Sequence, residues 1–135
     1  MAKEWYLLID CREAKRIKLL DQEGRVINAF SQKRGVGKLD IIENLFLLKE
    51  KHPLCWHNLQ AILVYEGPGS YTGLKIAASC ANVLSYSLSV PKYIFSGKFQ
   101  KKFLKEPKRV LLPLEIFEPN YGGEPKINLK RFLKS

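Results

Sequence analysis

Gly67-Pro68-Gly69-Ser70-Tyr71-Thr72-Gly73-Leu74-Lys75 is the stretch that decides the fold, because it turns the chain out of an apolar run and into an almost uncharged helical stretch. Before it stands Leu59-Gln60-Ala61-Ile62-Leu63-Val64-Tyr65, short, apolar and bounded by glycine and proline, which reads as a buried strand. After it, residues 72–88 contain no proline and no acidic residue, and Pro91 closes the segment. Strand, Gly-rich turn and helix together form the geometry in which backbone N–H groups at a helix start can hold an anion. The same geometry serves a tight turn with no ligand at all, so Gly67, Pro68, Gly69, Ser70 and Thr72 are assigned to the turn and helix start.

Upstream, Trp5-Tyr6-Leu7-Leu8-Ile9 reads as a first strand ending at Asp10. Ile17 to Leu20 reads as a second strand, and the turn Asp21-Gln22-Glu23-Gly24 sends Arg25 to Phe30 back as a third, making an antiparallel meander. Residues 31–37 form a loop, and Leu39 to Lys51 a helix stopped by His52-Pro53. Its apolar residues Leu39, Ile41, Ile42, Leu45, Phe46, Leu47 and Leu48, set at about 100° per residue, cover more than half the circumference. A helix lying on one core needs only a stripe somewhat over 100° wide.

The helix after the turn repeats the excess, its apolar and small residues spanning roughly 220° on the same wheel. Ile76, Cys80, Val83 and Leu84 form a bulky side suited to the domain's own sheet. Gly73, Ala77, Ala81 and Ser85, spaced by four, form a smooth side along which another helix backbone can approach. The partner interface is therefore expected at Leu39, Ile42, Leu45, Phe46, Gly73, Ala77, Ala81 and Ser85, against the alternative that both helices are buried within a larger core.

Downstream, Lys92 to Phe95 reads as a strand. Residues 98–109 carry Lys98, Lys101, Lys102, Lys105, Lys108 and Arg109 against a single Glu106, with Phe99, Phe103 and Leu104 between them, which fits a short helix with one apolar and one basic face. Val110 to Leu114 is a short strand, edge-like because of Pro113; residues 120–125 are a loop and 126–135 a basic tail.

The composition bounds the function classes. A chain of 135 residues suits one ordinary domain and is too short for two full ones. With 23 Lys and Arg against 13 Asp and Glu, the net charge of +10 favours polyanionic or acidic partners without naming one. Three cysteines, Cys11, Cys55 and Cys80, are an odd number, which predicts reduced thiols and a cytosolic compartment. Met1-Ala2-Lys3-Glu4 has neither the basic nor the apolar region of a signal peptide, and Ile76 to Pro91 is shorter than a membrane span and interrupted by serines.

Candidate chemistry is sparse. His52, Cys55 and His57 lie close together, but no second His or Cys pair follows at finger-like spacing. Neither Gly-rich stretch satisfies the P-loop pattern: Thr72 stands where Gly is needed after Gly67, and Gln32 where it is needed before Gly37. Asp10, at the end of the first strand, is the one carboxylate placed where sheet proteins hold metal or phosphate, with capping of the following turn as its alternative role.

The nine residues Gly67 to Lys75 closely resemble the Gly-Pro-Gly-Ser-Phe-Thr-Gly-Leu-Arg signature of the TsaB (YeaZ) family, with Tyr71 keeping the ring and Lys75 the charge. The first strand ends in Ile9-Asp10 where that family has Ile-Asp-Thr, although Cys11 and Arg12 replace the small hydroxyl residue that follows. The resemblance covers residues 5 to about 95. It implies an α/β fold like the amino-terminal half of the sugar kinase, Hsp70 and actin-like ATPase (ASKHA, RNase H-like) superfamily: meander, helix, strand, helix on a mixed sheet. Residues 1–96 would form that domain, and 97–135 a strongly reduced second domain with a basic tail. The whole is expected to be a miniature with an internal deletion.

For function, the resemblance implies a cytoplasmic, non-catalytic dimerisation subunit without a cofactor or metal of its own, acting in the synthesis of N6-threonylcarbamoyladenosine in tRNA. Its partners would be the catalytic subunit TsaD and, with that pair, the ATPase TsaE; alone it would form a homodimer through the same helices. Lys98, Lys101, Lys102 and Lys105 are the expected tRNA contacts. The competing expectation is a phosphate- or nucleotide-binding enzyme of the same superfamily using the Gly67 to Thr72 turn and Asp10.

Overall fold

A computed structural model of the chain describes residues 3–33 and 41–121, with the side chains of residues 32 and 33 left aside. Leu39 of the expected interface, the loop at 34–37 and the basic tail at 126–135 lie outside the described residues.

Alternation of apolar side chains builds a six-stranded sheet in the order β3-β2-β1-β4-β5-β6. β1 (Trp5–Asp10), β2 (Ala14–Asp21) and β3 (Val26–Lys33) form the antiparallel meander, and β1 then pairs in parallel with β4 (Leu59–Tyr65). β4 pairs in parallel with β5 (Lys92–Phe95), which pairs antiparallel with β6 (Arg109–Leu111). The sheet is thus mixed, with helices packed on it, as expected for a reduced actin-like half.

Successive residues of a strand point to opposite faces, so β1 and β4 supply two separate cores. Leu7, Ile9, Ile17, Leu19, Ile62 and Val64 face the helices α1 (Ile41–Lys51), α2 (Pro53–His57) and α3 (Tyr71–Leu88). On the other face Tyr6, Leu8, Leu20, Ala61, Leu63, Tyr65 and Phe95 pack with Phe103 and Leu104 from the segment after β5. The described residues beyond 96 add β6 to the same sheet and side chains to both cores.

Three elements differ from expectation. Pro53 does not merely stop α1: its fixed φ starts α2, which buries Trp56 against the helix-side core. The helix expected over 98–109 shrinks to a single 3-10 turn, Lys101–Leu104, which buries Phe103 and Leu104. β6 begins at Arg109 and ends at Leu111, since Leu112 to Glu115 closes into a turn with Glu115 N donating to Leu112 O at 3.0 Å.

One buried charge sits among these elements. Lys92, at the start of β5, is fully buried, and its Nζ donates to Ser85 Oγ at 3.3 Å and to Leu112 O at 3.2 Å. It thereby ties the end of α3 to the segment after β6. Loss of hydration lowers its pKa from the usual 10.5, only partly opposed by Glu115. Its folded pKa lies below its unfolded value, so the unfolded chain binds more protons in the window between the two, and stability rises with pH up to about 10.5. Urea unfolding across that window should show the wild type gaining stability relative to Lys92→Met as pH increases. A difference independent of pH would mean that Lys92 is not charged at a cost in the folded state.

Candidate functional site

The junction after β4 is a mechanical turn. Gly67 adopts φ +116°, and a Cβ there would lie 1.9 Å from the Asn120 carbonyl oxygen, so both conformation and space demand glycine. The Gly67-Pro68 peptide is cis. Tyr65 Oη donates to Pro68 O at 2.7 Å, and Asn120 N donates to Glu66 O at 2.6 Å, so the turn is held from both sides. Ser70 is the helix N-cap, its Oγ accepting from Gly73 N at 3.0 Å. Thr72 instead points to solvent. Tyr121 stacks on Tyr71 with ring centroids 4.6 Å apart.

Asp10 is engaged by its own neighbour. Arg12 Nη2 pairs with Asp10 Oδ2 at 3.1 Å, Arg12 N donates to Asp10 Oδ1 at 3.1 Å, and Arg12 Nη2 donates to Gly97 O at 2.6 Å. The guanidinium also lies 3.6 Å from the centroid of the Tyr65 ring. The carboxylate is thus both capped and neutralised within the chain.

The two long helices carry the larger surprise. Gly73, Ala77, Ala81 and Ser85, expected to face a partner, are all buried in the chain's own interior. A Cβ on Gly73 would come 2.4 Å from Cys11 O, which shows how closely α3 approaches the end of β1. The small residues are required by α3 lying tight on the sheet, and the helix is turned the opposite way from the expectation. Its bulky side faces outward and toward α1: Val83 is 64% exposed, and Cys80 and Leu84 are half-buried. From α1, Ile42 at 57% and Phe46 at 59% are exposed, whereas Leu45 is buried at 7%.

Together these side chains line an open apolar groove of about 430 Å³, walled by Ile42, Leu45 and Phe46 on one helix and Cys80, Val83 and Leu84 on the other, with Trp56 at its base. The residues missed by sequence reasoning, Val83 and Leu84 above all, were visible as bulky positions but assigned to the sheet.

The cysteines are poor nucleophiles. Burial pushes the Cys11 thiol up to about 12, with Cys80 adding to the shift, and burial also raises Cys80 and Cys55. His52 is paired instead with Asn28, Nε2 to Nδ2 at 3.2 Å, and among the described residues no three His, Cys, Asp or Glu side chains gather as a metal site. Among them, too, no helix is long and apolar enough to cross a membrane.

Lys98, Lys101, Lys102 and Lys105 are all exposed, carried on a segment anchored by the buried Phe103 and Leu104. They project from the face opposite to α1 and α3.

A family model described as TsaD, tRNA N6-adenosine threonylcarbamoyltransferase, matches residues 41–96. Among solved structures, YeaZ from Pseudomonas aeruginosa is 25% identical with a TM-score of 0.56, covering 68% of this chain and 43% of that one. A second structure, of an uncharacterised protein with similarity to peptidase YeaZ from Pseudomonas aeruginosa, is 27% identical with a TM-score of 0.52, covering 71% of this chain and 44% of that one. The chain therefore spans less than half the length of these relatives. No curated protein sequence matches it.

The turn supplies a direct check on the geometry. Gly67→Ala should cost about 2 kcal/mol or more, from the positive φ and the collision with Asn120 together. Thermal or urea unfolding measures this, and an unchanged midpoint would place the segment around Asn120 elsewhere.

Proposed function

We propose that the chain, which is similar to YeaZ structures, is a non-catalytic scaffold subunit in the synthesis of N6-threonylcarbamoyladenosine in tRNA. It docks and activates a TsaD-type threonylcarbamoyltransferase through the groove between α1 and α3. The observation that carries this reading is the groove itself, where Ile42, Phe46 and Val83 each leave more than half of their surface open to solvent. Contiguous exposed apolar surface rimmed by polar groups is the mark of a protein interface. Lys49, Ser79 and Ser87 supply such a rim. The TsaE-type ATPase joins the pair once it has formed, and in the absence of the catalytic subunit a second copy of the chain covers the same groove.

A non-catalytic role is supported by what surrounds the alternative chemistry. Asp10 is neutralised by Arg12, the start of α3 is capped by its own Ser70, and the thiols are raised in pKa by burial. A phosphate-binding enzyme using the Gly67 to Thr72 turn would have to displace Arg12 and the Asn120 backbone first.

Phe46→Glu combined with Val83→Glu should leave the chain folded, since both residues are exposed in the free subunit. The pair should weaken binding of the catalytic subunit at least a hundredfold, about 3 kcal/mol, because two charges would be buried without partners. Co-elution of the purified subunits and mass spectrometry of the tRNA nucleosides read the result. Unchanged co-elution would move the interface elsewhere. Ala77→Arg, by contrast, should unfold the domain, because Ala77 is fully buried against the sheet.

A further inference from the structure

The face of the sheet opposite α1 and α3 carries a second groove, and its residues are basic. β2 places Arg16 beside Asp10 and Lys18 beside Leu8, so both cations stand on the helix-free face. The segment after β5 folds over that face and brings Lys98 and Phe99 to the opposite wall. Between them lies a groove of about 380 Å³ floored by Leu8 and Leu20, with Val26 at its far end. The stem of Lys101 lies against Gly24 at the same rim, where a Cβ on that glycine would be 2.8 Å from Lys101 Cγ.

The charge balance in the groove is one-sided. Asp10 is consumed by Arg12, which leaves Arg16, Lys18 and Lys98 facing only Glu13. Among the described residues none of those three cations is in an ion pair. Lys102 on the adjoining 3-10 turn and Lys105 just after it, both exposed, continue the basic surface beyond the rim. Unpaired cations along a groove that also offers an aromatic edge and an apolar floor suit a polymer carrying both phosphates and bases.

We propose that this groove binds the backbone of RNA, with Arg16, Lys18 and Lys98 contacting successive phosphates and the half-buried Phe99 receiving a ribose or base. The choice of RNA among polyanions rests on the tRNA-modification reading; the groove and its charge do not. Because it lies on the other face of the sheet from the α1 and α3 groove, an RNA and a protein partner can be held at once.

The test is fluorescence anisotropy of a labelled RNA stem-loop against the full chain over a range of salt. Wild type should bind, with log K falling linearly in log salt by about 0.7 to 0.9 per phosphate neutralised. The triple variant Arg16→Gln, Lys18→Gln and Lys98→Gln should raise Kd about tenfold or more and make the salt slope shallower by about 2. Its melting temperature should match wild type, and the single variants serve if it does not. Wild type that ignores RNA at low salt, a triple variant with unchanged slope, or loss only in a Lys102→Gln, Lys105→Gln variant would each overturn the groove. So would binding of phosphatidylserine vesicles but not of RNA. Co-elution of the triple variant with the catalytic subunit, unchanged, keeps the scaffold reading separate: either result can fail while the other stands.

Discussion

Burial of β1 and β4 on both faces is the constraint on which the rest of the structure depends. Leu7, Ile9, Ile62 and Val64 are fully buried on one side, while Leu8, Leu63 and Tyr65 are nearly so on the other. A two-sided apolar sheet cannot face water, and parallel pairs in particular occur with both faces covered. Three helices supply one cover. Among the described residues the other comes from the segment after β5, chiefly the aromatic cluster in which Phe99 and Phe103 pack edge-on at 6.1 Å and each meets Phe95. Among the described residues this cover does not extend over β2, and that is where the basic groove lies.

The same closeness of packing explains what could and could not be read from the sequence. The strands, the turn and the existence of both long helices followed from apolar runs, breakers and period. For α3 the period gave an apolar arc too wide for one contact, yet could not say which half of the arc met the sheet. Bulk suggested Val83 and Leu84, since large side chains bury more area. Distance decided otherwise: where the start of α3 passes Cys11 O, only Gly73 fits, and Ala77, Ala81 and Ser85 continue the line of close approach. Of the residues expected at the interface, Ile42 and Phe46 are exposed, whereas Leu45 and the α3 residues Gly73, Ala77, Ala81 and Ser85 are buried within the chain. Arg16 and Lys18 were passed over although β2 alternates them with Ile17 and Leu19, the pattern of a strand with one polar face.

Charge is distributed by the same logic. Where the chain buries a cation it surrounds it: Lys92 meets Ser85 and Leu112, and Arg12 is held by Asp10, Gly97 and Tyr65. Arg16, Lys18 and Lys98, which have no such partners among the described residues, stand on the face of the sheet opposite α1 and α3 or on the segment covering it. An excess of ten positive charges raises the self-repulsion of the folded state, which is a cost unless an anion offsets it. The basic groove and the apolar groove, on opposite faces of the sheet, are each suited to a different class of partner.

The Gly67 turn connects these two surfaces physically. It is gripped from one side by Tyr65, whose ring also carries Arg12, and from the other by Asn120, whose neighbour Tyr121 stacks on the first residue of α3. Phe117, fully enclosed and fixed by paired hydrogen bonds to Asn82 at 2.8 and 3.0 Å, holds the same segment along the far flank of α3. α3 is thus clamped at its start, along one flank and underneath. Among the described residues the flank toward α1 and the outer surface remain open. A helix so fixed presents Val83 and Leu84 in a defined position before any partner arrives, and a surface held rigid in advance loses less conformational freedom on binding. Glycine at the turn is the element that lets the clamp close, because any side chain at Gly67 would force the Asn120 backbone, and the grip it provides, away from α3.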